Sequence, residues 1–168
     1  MRIVNDQDID VEQGQSGEIL LKGDNILFEY WGNEAATKDA IRDGWFYTGD
    51  IGYQDEDQDV WVNDRKKDVV ISGSENIYPA EIEAFMHEME DIIDGVIVGK
   101  PDEKWGEVPV AVVIKKKGVD LLEDDFLSRF QGQLARYKHP KAVYFVNDLP
   151  RNAMGKVLKY EVRKSVTS

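Results

Sequence analysis

The residues best suited to chemistry fall in a few short stretches. "YTGD" ends on Asp50, whose carboxylate can accept two hydrogen bonds from a cis-diol such as a ribose. The same residue also suits a plain turn held by an Asx contact. "DRKKD" carries Arg65 and Lys67 in a charged run that reads equally as a solvated linker. "YKHPK" sets Tyr137 beside Lys138, His139 and Lys141. The ring could stack an adenine and the cations could pair its phosphates, His139 bringing only a pH-dependent charge. "KWGE" contains Trp105, which fits a ring packed at the entry of a strand. "LPRNAMGKVLK" runs from Leu149 to Lys159 and places Lys156 directly after Gly155, with a second lysine three residues on. A lone Gly-Lys pair is most often an ordinary surface lysine. The spacing P-x-x-x-x-G-K-x-x-K from Pro150 to Lys159 is more specific.

The elements that must carry these stretches divide into two groups. "GEILLKG", "GWFYTGD" and "DVWVND" read as short strands, the second ending in a Gly-Asp turn, with the acidic "IGYQDEDQD" as a hairpin connection. "NEAATKDAIRDG" reads as one short helix stopped by Gly44. Several strands in so few residues make a thin core, as in a piece of a small barrel. Beyond Asp64 the pattern changes. "DVVIS", "GVIVGK", "VPVAVVIKK" and "AVYFV" read as strands. "IYPAEIEAFMHEME" reads as a helix with Pro79 in its first turn and Ile82, Phe85, Met86 and Met89 on one buried face. "EDDFLSRFQGQLAR" reads as a second helix with Arg136 near its end, and "KYEVRKSV" as a short basic one. The fold class expected is α+β: a small β-barrel-like subdomain fragment over residues 1–66, then a compact α+β domain over 67–168. Its central sheet is expected to be mostly antiparallel and flanked by helices.

Composition bounds the function. The 168 residues suffice for one ordinary domain or two small ones, and 42% hydrophobic residues suffice for a packed core. No cysteine is present, which removes disulfides and thiolate metal sites and is compatible with a reducing, cytoplasmic compartment. Two histidines, His87 and His139, are too few for a His-rich metal site. No apolar run is long enough for a membrane span, and the first residues lack the apolar region of a secretory signal. The net charge of −12 is unevenly spread. Residues 1–64 hold 4 Lys and Arg against 16 Asp and Glu, whereas residues 129–168 hold 9 against 2, a net of +7. Such asymmetry implies two units with different partners. No nucleic-acid motif accompanies the basic segment.

"YTGD", "DRKKDVVISGSENIYPAEIE", "KWGEVPVAVV" and "LPRNAMGKVLK", in this order and spacing, resemble the acyl-CoA synthetase branch of the adenylate-forming superfamily, which also includes luciferases and peptide-synthetase adenylation domains. The resemblance covers nearly all of the chain. "ENIYPAEIE" favours the CoA-ligase branch over the peptide synthetases. No "TSGTTG"-like phosphate loop occurs, so the chain resembles the last subdomain of the family's large N-terminal domain followed by the small C-terminal domain, the large domain being the missing partner.

The resemblance implies roles. Lys156 would be the catalytic lysine of acid adenylation, its ammonium bridging the attacking carboxylate and an α-phosphate oxygen. Asp50 and Arg65 would bind the ribose of ATP or AMP. Mg²⁺ would screen the β- and γ-phosphates. Lys67 would be the hinge about which the C-terminal domain swings between two catalytic poses. Gly73, Ser74 and Trp105 would border the pantetheine arm of CoA, and Tyr137, His139 and Lys141 its nucleotide end. Three positions depart from the family pattern: Asp64 stands where Gly usually precedes the Arg, Ser74 where a second Gly is common, and His139 where the CoA-ligase branch carries Arg. Gly155 is expected to loosen the Lys156 loop. Two alternatives stay open: a carrier-protein pantetheine as thiol acceptor, and a nucleotide- or CoA-binding module without catalysis. The 168 residues alone are expected to be inactive.

Overall fold

The structure, a computed structural model, describes residues 1–167 and divides into two compact units, Met1–Lys67 and Asp68–Ser168. The first unit is a five-stranded antiparallel sheet. It is built from β1 (Arg2–Val4), β2 (Gly17–Leu21), the helix α1 (Glu34–Ala40), β3 (Ile41–Arg42), β4 (Trp45–Gln54) and β5 (Val60–Arg65). The sheet order is β1-β2-β4-β3, with β5 also on β4. Its core is thin: Ile3, Val4, Ile19 and Leu20 are its buried apolar residues, while Phe28 and Trp31 stand almost fully exposed.

Two expectations for this unit are corrected. The helix does not run to Gly44. It ends at Ala40, and Ile41–Arg42 pair with Phe46 and Trp45. Asp43 (φ 51°) and Gly44 (φ 76°) are both left-handed, as a two-residue type I′ turn requires, so Asp-Gly here is a hairpin signal rather than a helix stop. Nor does the strand end at the Gly-Asp turn: β4 continues through Gly49 and Asp50 to Gln54. Leu20 pairs with Tyr47 and Glu18 with Ile51, so β4 spends four residues where β2 spends two. The extra residues form a bulge that carries Thr48, Gly49 and Asp50, a device that re-aims side chains.

The second unit is built from β6 (Val70–Ser72), β7 (Glu75–Ile77), α2 (Pro79–His87), β8 (Ile92–Asp102), β9 (Gly106–Lys115), α3 (Glu123–Ser128), β10 (Val143–Phe145) and α4 (Lys159–Thr167). Its sheet has the order β10-β9-β6-β7, with β8 also pairing β9, and β10–β9 is its parallel pair. Helices cover both faces. On β8 and β9 the residues Ile97, Ala111 and Val113 point to one core with Ile82, Met86, Phe126 and Phe130. Val96, Val98, Val110 and Val112 point to another with Leu149, Val162 and Val166. A strand buried on both faces has no polar alternation to show, which is why "VPVAVVIKK" is so continuously apolar.

The buried face read for α2 holds, with Ile82 and Met86 fully buried and Phe85 and Met89 packed against the same core. The helix is shorter than expected: Ile77 belongs to β7, and Met89 lies beyond the helix end at His87. The following helix is also shorter than expected. α3 stops at Ser128, and Gly132 takes φ 75° inside a series of turns. Arg136 then opens a separate 3₁₀ turn, Arg136–Lys138.

Candidate functional site

In the first unit Asp50 and Arg65 sit directly opposite each other on β4 and β5. Arg65 Nη1 lies 3.1 Å from Asp50 Oδ1 and donates to the Thr48 carbonyl at 3.0 Å. The bulge is held from within: Thr48 Oγ1 donates to the Ile19 carbonyl at 2.7 Å and accepts from Asp50 N–H at 3.0 Å. Gly49 (φ 71°) donates its N–H to the buried Glu18 carboxylate. Lys66 also reaches Glu18, at 3.0 Å, and Asp6 at 3.2 Å. Burial works to lower the Lys66 ammonium pKa, but these two carboxylates raise it on balance. The pair Asp50 and Arg65 therefore stands half-exposed on a braced edge. Lys67 follows in the exposed 3₁₀ turn Lys66–Asp68, where the first unit ends.

In the second unit, Gly73 and Ser74 are the two turn residues joining β6 to β7. Gly73 is left-handed (φ 63°) and its N–H donates to the Trp105 carbonyl at 2.7 Å. A Cβ at Gly73 would meet the Trp105 ring at 3.1 Å, so the indole lies on the bare turn. Trp105 itself is held by Asp102, whose Oδ1 accepts the N–H groups of Lys104 and Trp105, each at 2.9 Å. The structure thus joins the Gly73-Ser74 turn to Trp105, which lies far from it in sequence.

The 3₁₀ turn carrying Tyr137 packs beside β7. Lys138 is fixed there by Glu81, 2.6 Å away; burial works to lower its ammonium pKa, but that carboxylate raises it on balance. Tyr137 and Lys141 are exposed. His139 turns inward: its Nε2 lies 2.9 Å from the Leu134 carbonyl and its ring lies near Phe130. That contact leaves Nδ1 as the one ring nitrogen for a ligand.

Lys156 lies on an exposed turn that is ordered by Asn152. The Asn152 Oδ1 accepts the N–H of Met154 (3.0 Å) and of Lys156 (2.9 Å). The Asn152 main chain exchanges bonds with Lys156 O and Gly155 N–H, both at 2.9 Å. Gly155 occupies φ 83° within this bonded turn. Its part is to supply a left-handed residue, not to loosen the loop as expected from sequence.

Both stems of the turn are pinned. Arg151 pairs with Asp94, which also contacts His87, and Arg151 Nη1 donates to the Gly155 carbonyl at 2.7 Å. Lys159 pairs with Glu83 at 2.8 Å, and Glu83 also accepts the Ile97 N–H at 2.8 Å. Burial works to raise the Asp94 pKa, but Arg151, the Gly95 N–H and His87 lower it on balance. The Lys156 ammonium has no acidic or hydrogen-bonding partner among the described residues. The sequence reading missed these anchors, since partners 57 and 76 residues apart leave no local spacing. Asn152 was within reach, because an Asn side chain commonly accepts main-chain N–H groups a few residues on in a turn. Among the described residues no group of three His, Asp or Glu could hold a metal.

Residues 81–156 match the family model described as the AMP-binding enzyme C-terminal domain. The chain is 49% identical over 166 residues to an indoleacetate–CoA ligase of Aromatoleum aromaticum, covering 99% of this chain and 32% of the relative. It is 46% identical over 152 residues to a 2-succinylbenzoate–CoA ligase of a Geobacillus species, covering 90% and 31%. Among solved structures, ATP-bound MatB from Rhodopseudomonas palustris superposes with a TM-score of 0.89 at 39% identity, covering 99% of this chain and 34% of that one. The chain spans about a third of the length of the curated relatives it matches.

Proposed function

From a chain that carries the C-terminal domain of the AMP-binding enzymes, we propose the C-terminal portion of an ATP-dependent acid–CoA ligase, its second unit supplying the lysine of the adenylation step. The reaction has two halves. A carboxylate oxygen of the acid attacks the α-phosphorus of ATP and the bond to pyrophosphate breaks, giving an acyl-adenylate. The thiol of CoA then attacks the acyl carbon and AMP leaves. The observation that carries this reading is the state of the cations between Pro150 and Lys159: Arg151 and Lys159 are neutralised by Asp94 and Glu83, while the Lys156 ammonium alone is unpaired on an ordered turn. An unpaired cation on an ordered turn suits charge gathering on a phosphoryl group, because no existing partner has to be displaced.

The other residues fit the same chemistry. Asp50 can accept from ribose hydroxyls while Arg65 holds its carboxylate from across the strand pair. The Gly73 turn and the half-exposed Trp105 ring resting on it offer a surface along which a narrow pantetheine arm can lie. Tyr137 and Lys141 supply an exposed ring and a cation for the nucleotide end of CoA. Mg²⁺ would arrive with ATP, and the second unit brings no metal cluster of its own among the described residues. Lys67 is proposed as the hinge that lets one domain serve both halves.

The test is a chimera joining this chain to the remaining two thirds of the indoleacetate–CoA ligase it resembles. Lys156→Ala should slow adenylation by about 10²–10³-fold or more. Thiol transfer onto supplied acyl-adenylate should be spared. Equal loss of both halves, or ATP–pyrophosphate exchange by the 168 residues alone, would overturn the reading.

A further inference from the structure

We infer that Glu83 and Asp94 are positioning residues: two carboxylates on α2 and β8 that clamp the stems of the Lys156 turn through Lys159 and Arg151. This deepens the adenylation proposal and rests on it. The Asn152 hydrogen bonds shape the turn but do not tie it to the rest of the second unit. Residues 151–156 are exposed, and a Cβ at Gly155 would meet nothing within 4 Å. What fixes it lies at its two ends. Before the turn, Arg151 bridges outward to Asp94 and inward to the Gly155 carbonyl, so one guanidinium ties β8 to the residue next to Lys156. After it, Lys159 meets Glu83, whose carboxylate also accepts the Ile97 N–H of β8. Both side chains of that second pair are less than one-fifth exposed, which shields it from screening far better than a surface pair.

The clamp has a second effect. With Asp94 and Glu83 engaged by Arg151 and Lys159, neither carboxylate is left to capture Lys156. A lysine held by its own domain would have to exchange that partner for the phosphoryl group at every turnover. Placement within a fraction of an ångström governs such catalysis, and a poorly supported group loses rate without losing substrate affinity.

Amide hydrogen exchange in the 168-residue chain tests the clamp directly. Lys159→Met and Arg151→Met should each speed exchange at Gly155 and Lys156 by about tenfold or more. The core amides of Val110 and Ala111 should not change, and Lys159→Arg should restore protection. Unchanged exchange at the turn in both Met variants would overturn the clamp. In the chimera, Lys159→Met should lower kcat for adenylation about tenfold, with KM for ATP and the thiol half-reaction within about twofold, and Lys159→Arg should recover the rate. Faster exchange with adenylation unchanged would overturn the positioning role. If instead Lys156→Ala leaves adenylation intact, it is the adenylation reading that fails.

Discussion

At the scale of single residues, the chemistry depends less on which groups are charged than on which are already spent. Lys66, Lys138, Arg151 and Lys159 all have carboxylate partners, whereas Lys156 has none among the described residues. The pairing of Asp94 gives a pH dependence with a definite sign. Its folded pKa lies below the ordinary value of 3.8. Its contribution is therefore fully present above that value and is lost as pH falls through the depressed one. Acidification below pH 3.8 should release Arg151 and the turn before the core gives way. Exchange at Gly155 and Lys156, corrected for intrinsic rates, should lose protection over that window, and Asp94→Asn should abolish the transition. The motif around Lys156 was visible in the sequence, but its electrostatic isolation was not, because isolation depends on where distant acids fold.

At the scale of elements, the decisive features are turns and bulges. The β6–β7 turn needs a left-handed first residue and a bare surface for Trp105, and Gly73 meets both needs. Gly73→Ala should destabilise the second unit by roughly 1–2 kcal/mol from the left-handed backbone alone, with the ring contact adding to it. Ser74→Ala should stay within about 0.5 kcal/mol. Urea unfolding of the chain, followed by signals from residues 68–167, distinguishes the two. Elements with a clear period were legible beforehand, such as α2 with its buried Ile82 and Met86 and the β-branched β9. Gly49 and Asp50 were read as the end of a strand because a bulge is defined by its partner strand, and local sequence does not announce the count of residues opposite. The helix read over "EDDFLSRFQGQLAR" likewise stops at Ser128, and the segment beyond it, with Gly132 left-handed, runs in turns.

At the scale of the whole molecule, two cores of very different depth serve two units. The first has few buried apolar residues, and the second fills both faces of its sheet. Ile97→Ala, in the deeper core, should cost the second unit about 2–5 kcal/mol. Exchange protection in β2 and β4 should stay in place, and loss of protection in both units together would show that they unfold as one. The acidic first unit and basic C-terminal segment were evident from charge alone.

The contact between Trp105 and the Gly73 turn also makes the second unit report on itself. Of the four tryptophans, Trp31, Trp45 and Trp61 belong to the first unit and Trp105 alone to the second. Its indole is about half exposed and rests on the surface proposed to border the pantetheine arm. With the other three replaced by phenylalanine, emission from this one ring would follow thiol-substrate arrival in real time, an intrinsic fluorophore seated at the entrance to the step it would monitor.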